Sequence, residues 1–214
     1  MTDKPAKTEG EGLTPAAALA LISREQRRIG ARFGAGVPWI FGAWSVAWTA
    51  AFVVLFLDAQ ARGPMPGLSA AVAVGALALV AVGVSAIAGI RSGRGLRGTR
   101  GAVITGVVYG NLWWVGMLVI VLICFGLRAA GVGLGAIAVL WPALIAAFFG
   151  MMFVSAGLIW PAPPLLVIGF WMLAVGASSV FLRAPSHLLY VGIAGGVGLL
   201  GVAVWTAIWI RMSR

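Results

Sequence analysis

Acidic residues run out early in this chain. All five (Asp3, Glu9, Glu11, Glu25 and Asp58) lie at or before position 58 of 214, and beyond it the formal charges are arginines alone. Charged residues make up 9% of the sequence and hydrophobic ones 62%. A soluble domain carries roughly 25% charged residues, so a water-soluble globule is excluded. No Asp, Glu, Lys, Arg or His falls inside any long apolar run. Proton relays and many ion-coupled transporters depend on such groups within the membrane, and intramembrane metalloenzymes need His and carboxylate ligands. The lone histidine, His187, falls beside Ser186 at the start of the last run and reads as an interfacial polar residue. No catalytic residue, metal site or cofactor is expected, and the chain reads as a non-enzyme. The single cysteine, Cys124, can form neither an intrachain disulfide nor a zinc cage. No G-x-x-x-x-G-K-[ST] segment offers a nucleotide site. The first 36 residues are polar and the first apolar run exceeds a signal h-region, so no secretory leader is expected.

What is present is length in the apolar runs. About twenty apolar residues cross a hydrocarbon core of roughly 30 Å, and six segments qualify: 37–57, 68–90, 102–127, 134–160, 165–182 and 188–210. The fourth and fifth are divided only by PAPP, residues 161 to 164. Residues 134 to 182 together would extend about 74 Å as one helix, so the prolines divide two spans. Lys and Arg in the connections then set orientation. With a cytoplasmic N-terminus, Lys4, Lys7, Arg24, Arg27, Arg28, Arg32, Arg91, Arg94, Arg97, Arg100, Arg211 and Arg214 lie inside, against Arg62, Arg128 and Arg183 outside. Both termini are therefore expected in the cytoplasm, in a multi-pass protein of the plasma (inner) membrane.

Ahead of the first span, LTPAAALALISREQRRIGARF (13–33) places Ala18, Leu19, Ile22, Ile29 and Phe33 on one helical face and Arg24, Arg27 and Arg28 on another. Thr14 suits the cap and Pro15 the first helical position. Such a helix lies in the interface, its arginines toward anionic headgroups, or packs on loops of its own chain. The expected fold is thus an all-α polytopic membrane helix bundle, six transmembrane helices preceded by a cytoplasmic amphipathic interfacial helix. Its parts are a disordered tail at 1–12, the interfacial helix at 13–36, the transmembrane domain at 37–210 and a tail at 211–214.

Between the second and third spans, RSGRGLRGTRG (91–101) spaces Arg91, Arg94, Arg97 and Arg100 three apart among glycines. Without interleaved aromatics it is no nucleic-acid patch. It reads as a topology determinant touching lipid headgroups or a partner, and its glycines disfavour a preformed helix. AVGVSAIAGIR (81–91) and AVGASSVFLR (174–183) share AVG-x-S in the second and fifth spans, as a three-plus-three inverted repeat would place them.

At depth the chain is aromatic and weakly polar. Trp48 lies about 17 Å and Trp114 about 18 Å from the cytoplasmic ends of their spans, whereas Trp ordinarily prefers the interfaces. One reading is a midplane ligand pocket walled by Trp44, Trp48, Tyr109 and Trp114 and anchored by Asn111, suited to an amphipathic or lipid-like molecule. The other makes Asn111 a helix–helix hydrogen bond. Ser85 with Gly89, and Gly192 with Gly196, have the small-xxx-small spacing of close helix packing, within the bundle or in a homo-oligomer. Pro142 is a candidate kink.

The order of parts (LTPAAALALISREQRRIGARF, six runs, and RSGRGLRGTRG between the second and third) resembles the membrane subunit of an ABC-2-type exporter. That resemblance implies a permease or accessory subunit of an export system, contacting a separate cytoplasmic ATPase through Pro15–Phe33 and Arg91–Gly101. Two departures stand against it: the glycine-rich loop, and a link of about five residues between spans five and six with no room for re-entrant elements. The lead-in followed by FGAWSVAWTAAF is also similar to uncharacterised six-span membrane proteins of high-GC bacteria, a source the arginine, alanine, glycine and valine bias suits. The alternative function is a non-transporting membrane sensor or scaffold working through its basic cytoplasmic face.

Overall fold

The structure, a computed structural model, describes residues 14–21, 36–64, 66–93 and 99–212. Among the described residues it contains seven helices and no strand. A short α1 covers residues 15–21, its first turn closed by Thr14, whose Oγ1 accepts from the Ala17 amide at 3.3 Å and whose carbonyl accepts from Ala18 at 2.9 Å. The remainder of the expected interfacial helix, with Arg24, Arg27 and Arg28, lies outside the described residues, as do the tail at 1–12, Arg94 and Arg97.

The long helices are α2 (Val37–Arg62), α3 (Leu68–Gly93), α4 (Arg100–Ala129), α5 (Leu134–Ile159), α6 (Pro163–Ser179) and α7 (Ser186–Met212). In hydrocarbon each backbone N–H and C=O needs an internal partner, so a membrane chain with apolar runs of this length folds into helices. Five of the six are long and apolar enough to cross a membrane, and α6 is a shorter apolar helix of 17 residues. The protein is a membrane-embedded helix bundle. The expected fifth span ends early: after Ser178 the chain tightens into three-residue turns, Phe181 to Ser178 and Leu182 to Ser179. Even so, α6 extends about 25 Å along α5, with Gly157 against Leu166, Gly150 against Gly169 and Ala143 against Gly176. The α2–α3, α4–α5 and α6–α7 connections come together at one end of the bundle, where Pro64, Leu134, Ala184 and Pro185 line two adjoining cavities. That shared position, called here the three-turn end, follows from helices that alternate in direction.

Helices in lipid gain little from hydrophobicity alone and associate through close packing and hydrogen bonds. Glycine provides the first. A Cβ on Gly150 would sit 2.8 Å from the Gly169 carbonyl, and one on Gly176 2.9 Å from the Ala143 carbonyl, so α5 and α6 touch backbone to backbone. Along α7, Gly192 faces Phe52, Gly195 faces the Trp48 indole and Gly196 faces Thr49 of α2. Gly89 of the expected Ser85/Gly89 pair meets no neighbour. The close approach of α3 to α2 comes instead at Gly36, where a Cβ would lie 2.8 Å from Ser92 Oγ. Ser85 serves by hydrogen bonding: it accepts from Trp44 Nε1 at 2.9 Å and donates to the Ala81 carbonyl at 2.8 Å. Its counterpart in the matched segment, Ser178, likewise donates to Ala174 and pairs with an aromatic residue of another helix, Tyr190.

The core consists of α2, α5, α6 and α7. Outside it, the backbone of α3 approaches α2 alone and that of α4 approaches α5 alone, and these two, consecutive in the chain, do not approach each other. Replacing Gly150 by Leu should therefore destabilise the bundle by at least about 1–3 kcal/mol, the range for overpacking a tight core. Gly89→Leu should stay within about 0.5 kcal/mol. Unfolding by SDS titration from mild detergent compares the two, and equal effects would contradict this packing.

Candidate functional site

The midplane residues divide into two groups. Trp44 and Trp48 of α2 are held by ring contacts: Phe149 of α5 lies 6.2 Å from Trp44 and 4.9 Å from Trp48 between ring centroids. The Trp48 indole N–H donates to the Val191 carbonyl of α7 at 2.9 Å. Its depth thus reflects a bond to another helix's backbone, made reachable by the glycines around it. Ser45 donates to Gly196 at 2.8 Å, Thr49 to Gly192 at 3.4 Å and Trp171 of α6 to Ala194 at 2.8 Å. Four side chains therefore bind carbonyls along one stretch of α7.

On α4, Tyr109 donates its hydroxyl to the Met152 carbonyl of α5 at 2.7 Å and meets Trp160 edge-on. Asn111 and Trp114 do not join it. Asn111 is exposed and donates to the Val107 carbonyl of its own helix at 2.8 Å, and Trp114 is 70% exposed. Trp113 takes the inward position, its ring packed on Phe148, Phe149 and Phe153. The five expected pocket residues are therefore not one wall. Rings fill the space between α2, α4 and α5, and the expectation is corrected by a one-residue rotation of α4: a helix apolar on all sides carries no pattern that says which face turns inward. Of the basic residues expected to meet headgroups or a partner, Arg91 lies in the last turn of α3 and Arg100 opens α4, both exposed. Gly192 and Gly196 face α2, as described above.

The more informative site is at the three-turn end. Pro142 lies inside α5, fully buried. Lacking an N–H, it cannot take the carbonyl four residues earlier, so the Ala138 carbonyl loses its usual helical donor. His187, in the first turn of α7 and 1% exposed, supplies the replacement: its Nε2 lies 2.9 Å from the Ala138 oxygen. A carbonyl only accepts, so Nε2 carries the hydrogen and the neutral ring keeps a lone pair on Nδ1. Nδ1 is buried and has no hydrogen-bond partner among the described residues. His187 is thus a core residue and not the interfacial one expected from its neighbours. The signal that could have found it is the proline within an apolar span, which calls for a donor to the freed carbonyl.

His187 lines a cavity of about 290 Å³ together with Leu55, Ala59, Trp141 and Leu188. A second, more apolar groove of about 330 Å³ adjoins it, sharing Pro64, Pro66, Ala138 and Trp141 and reaching Cys124 and Arg128 on α4. Nearby, Asp58 fastens the α2–α3 turn by accepting from the Gly67 amide at 2.7 Å, with Arg62 Nε 3.4 Å from its other oxygen. No group of three or more His, Cys, Asp or Glu residues able to hold a metal ion occurs among the described residues. The site can accept one hydrogen bond and hold apolar matter.

The proline–histidine pairing makes the two positions interdependent. His187→Leu should cost about 1–3 kcal/mol in the native background, the penalty for leaving a buried carbonyl unpaired. In Pro142→Ala, where the residue-142 amide regains that carbonyl, the same change should cost under about 1 kcal/mol. A double-mutant cycle by SDS unfolding measures the difference, and equal costs would refute the pairing. Comparison with known protein families, curated proteins and solved structures finds no match for this chain.

Proposed function

We propose that this membrane protein is a non-enzymatic subunit or accessory of an export system in the plasma membrane, working with a separate cytoplasmic ATPase. The observation that supports this reading is the pair α3–α4. Each is long enough to span a bilayer, yet α3 buries two alanines, Ala70 and Ala81, and α4 buries Ile120 alone. Their backbones do not approach each other, and the arginine-rich 91–101 connection joins their ends. Helices so little engaged by their own chain offer apolar faces to other membrane helices, and a basic connection between them is where a cytoplasmic partner would gain leverage. By the positive-inside rule, the twelve Lys and Arg residues assigned to that side, against three at the three-turn end, favour the cytoplasm for it.

A second reading, a membrane sensor or scaffold, draws on a different observation. The centre of the bundle is filled by Trp48, Phe149 and Trp113, with no ionisable side chain among them, an interior suited to holding shape.

Affinity purification of the tagged chain from native membranes in mild detergent, followed by mass spectrometry, separates the two. Export predicts an ATPase that is lost in Arg94→Glu/Arg97→Glu, the scaffold predicts other membrane chains without an ATPase, and recovery of the chain alone would overturn both. Sidedness has its own test in Cys124→Ser cells. A cysteine at Thr99 should resist a membrane-impermeant maleimide in intact cells, while one at Arg183 should react. The reverse pattern would invert the assigned topology.

A further inference from the structure

The unpartnered nitrogen of His187 and the apolar groove beside it require a common explanation. Leaving a buried polar atom unpaired costs about 1–3 kcal/mol, and such an atom in a folded interior is ordinarily met by water or a ligand. Nδ1 of His187 is the one buried side-chain nitrogen or oxygen without a partner among the described residues. With Nε2–H committed to Ala138, Nδ1 accepts a hydrogen bond, so its complement carries an O–H or N–H. The cavity of about 290 Å³ is several times the roughly 30 Å³ that one water occupies in the liquid. With the groove it falls in the size range of small-ligand sites, about 300–1,000 Å³. Around His187 the lining is hydrocarbon from Leu55, Ala59 and Leu188, plus the Trp141 indole. The adjoining groove continues past Trp141 along Met117, Val121 and Ile145, with Arg128 at its α4 edge.

We propose that the His187 cavity and this groove hold one single-chain amphiphile whose head carries an O–H. The head donates to His187 Nδ1 and the hydrocarbon tail lies in the groove. One acceptor provides for one head, and one apolar groove continuous with it provides for one chain. Trp141 lines both spaces and so reports on head and tail alike. A long-chain alcohol has this chemistry, whereas a fatty acid, ionised at neutral pH, has no O–H to donate. The site does not rest on the export reading: it stands if no ATPase co-purifies, and it falls by itself if the binding below fails.

The experiment titrates the purified full-length protein in detergent with 9,10-dibromostearic acid, the corresponding alcohol and the methyl ester, reading tryptophan fluorescence quenching. The alcohol should quench saturably, and Trp141→Phe should remove most of that signal. The ester, without an O–H, should bind about tenfold more weakly, one hydrogen bond's worth. The acid, ionised at neutral pH and likewise without an O–H, should bind no better than the ester, and His187→Leu should bring the alcohol to the ester's affinity. Because His187→Leu also strips the Ala138 carbonyl of its donor, the same change is made in Pro142→Ala. Ala59→Phe fills the cavity with His187 intact and should abolish saturable binding. Equal affinity for alcohol and ester would overturn the proposal. So would unchanged alcohol affinity in His187→Leu/Pro142→Ala, which would leave water as the partner of Nδ1.

Discussion

A helix in hydrocarbon can satisfy its own backbone but gains little by approaching another helix unless the approach is close or polar. The seam between α2 and α7 is both. Gly192, Gly195 and Gly196 remove the side chains that would hold α2 away. The carbonyls thereby laid open accept hydrogen bonds from Ser45, Trp48 and Thr49, while Trp171 of α6 reaches Ala194 from another side. Each such bond contributes on the order of 0.6 kcal/mol in a membrane protein, up to about 1.7. Because the bonds run from side chain to backbone, they fix rotation and register together. Substituting one glycine would separate several donors from their acceptors at once.

From that seam the rest of the bundle follows by size. Between α5 and α6, Gly150, Gly157, Gly169 and Gly176 repeat the close approach without side-chain donors. Between α2 and α5 the opposite device operates. Phe41 meets Phe153, Trp44 and Trp48 meet Phe149, and Phe52 stacks on Trp141, so large rings occupy a wider gap. Trp113 extends the cluster to α4, where Gly116 makes room for Phe148. Close glycine seams on two sides and an aromatic spacer on the third leave α3 and α4 at the margins. Their outer faces belong to whatever surrounds the protein.

The proline in α5 illustrates how a local defect becomes a tertiary feature. An X-Pro interruption leaves a carbonyl unsatisfied, and in a membrane interior that cost must be met by another helix. His187 meets it, which draws the start of α7 against the start of α5 and shapes the cavity between them. The same ring then presents a second nitrogen whose needs the protein's own described side chains do not answer. A structural repair and a binding capacity thus reside in one residue.

Much was legible in the residue order, because the membrane imposes a length on every crossing. The long runs, the break at PAPP, the cap at Thr14 and the likeness of Ser85 to Ser178 are local or periodic properties, and the helices begin and end within a few residues of where hydropathy places them. The glycines at 192 and 196 were also readable as a contact face, though not as facing α2. What the order of residues could not specify is which side of each helix turns inward. On α4 every side is apolar, so nothing local distinguishes Trp113 from Trp114 or turns Asn111 outward. That choice depends on ring and glycine sizes on α5, which come into play only once the helices meet. Likewise Pro142 announces a carbonyl in need of a donor, but the donor stands 49 residues away along the chain. Spans and breaks are therefore sequence properties, set by hydrocarbon thickness and backbone chemistry. Facing, partner choice and the His187 site belong to the tertiary structure, because each is a relation between surfaces on different helices.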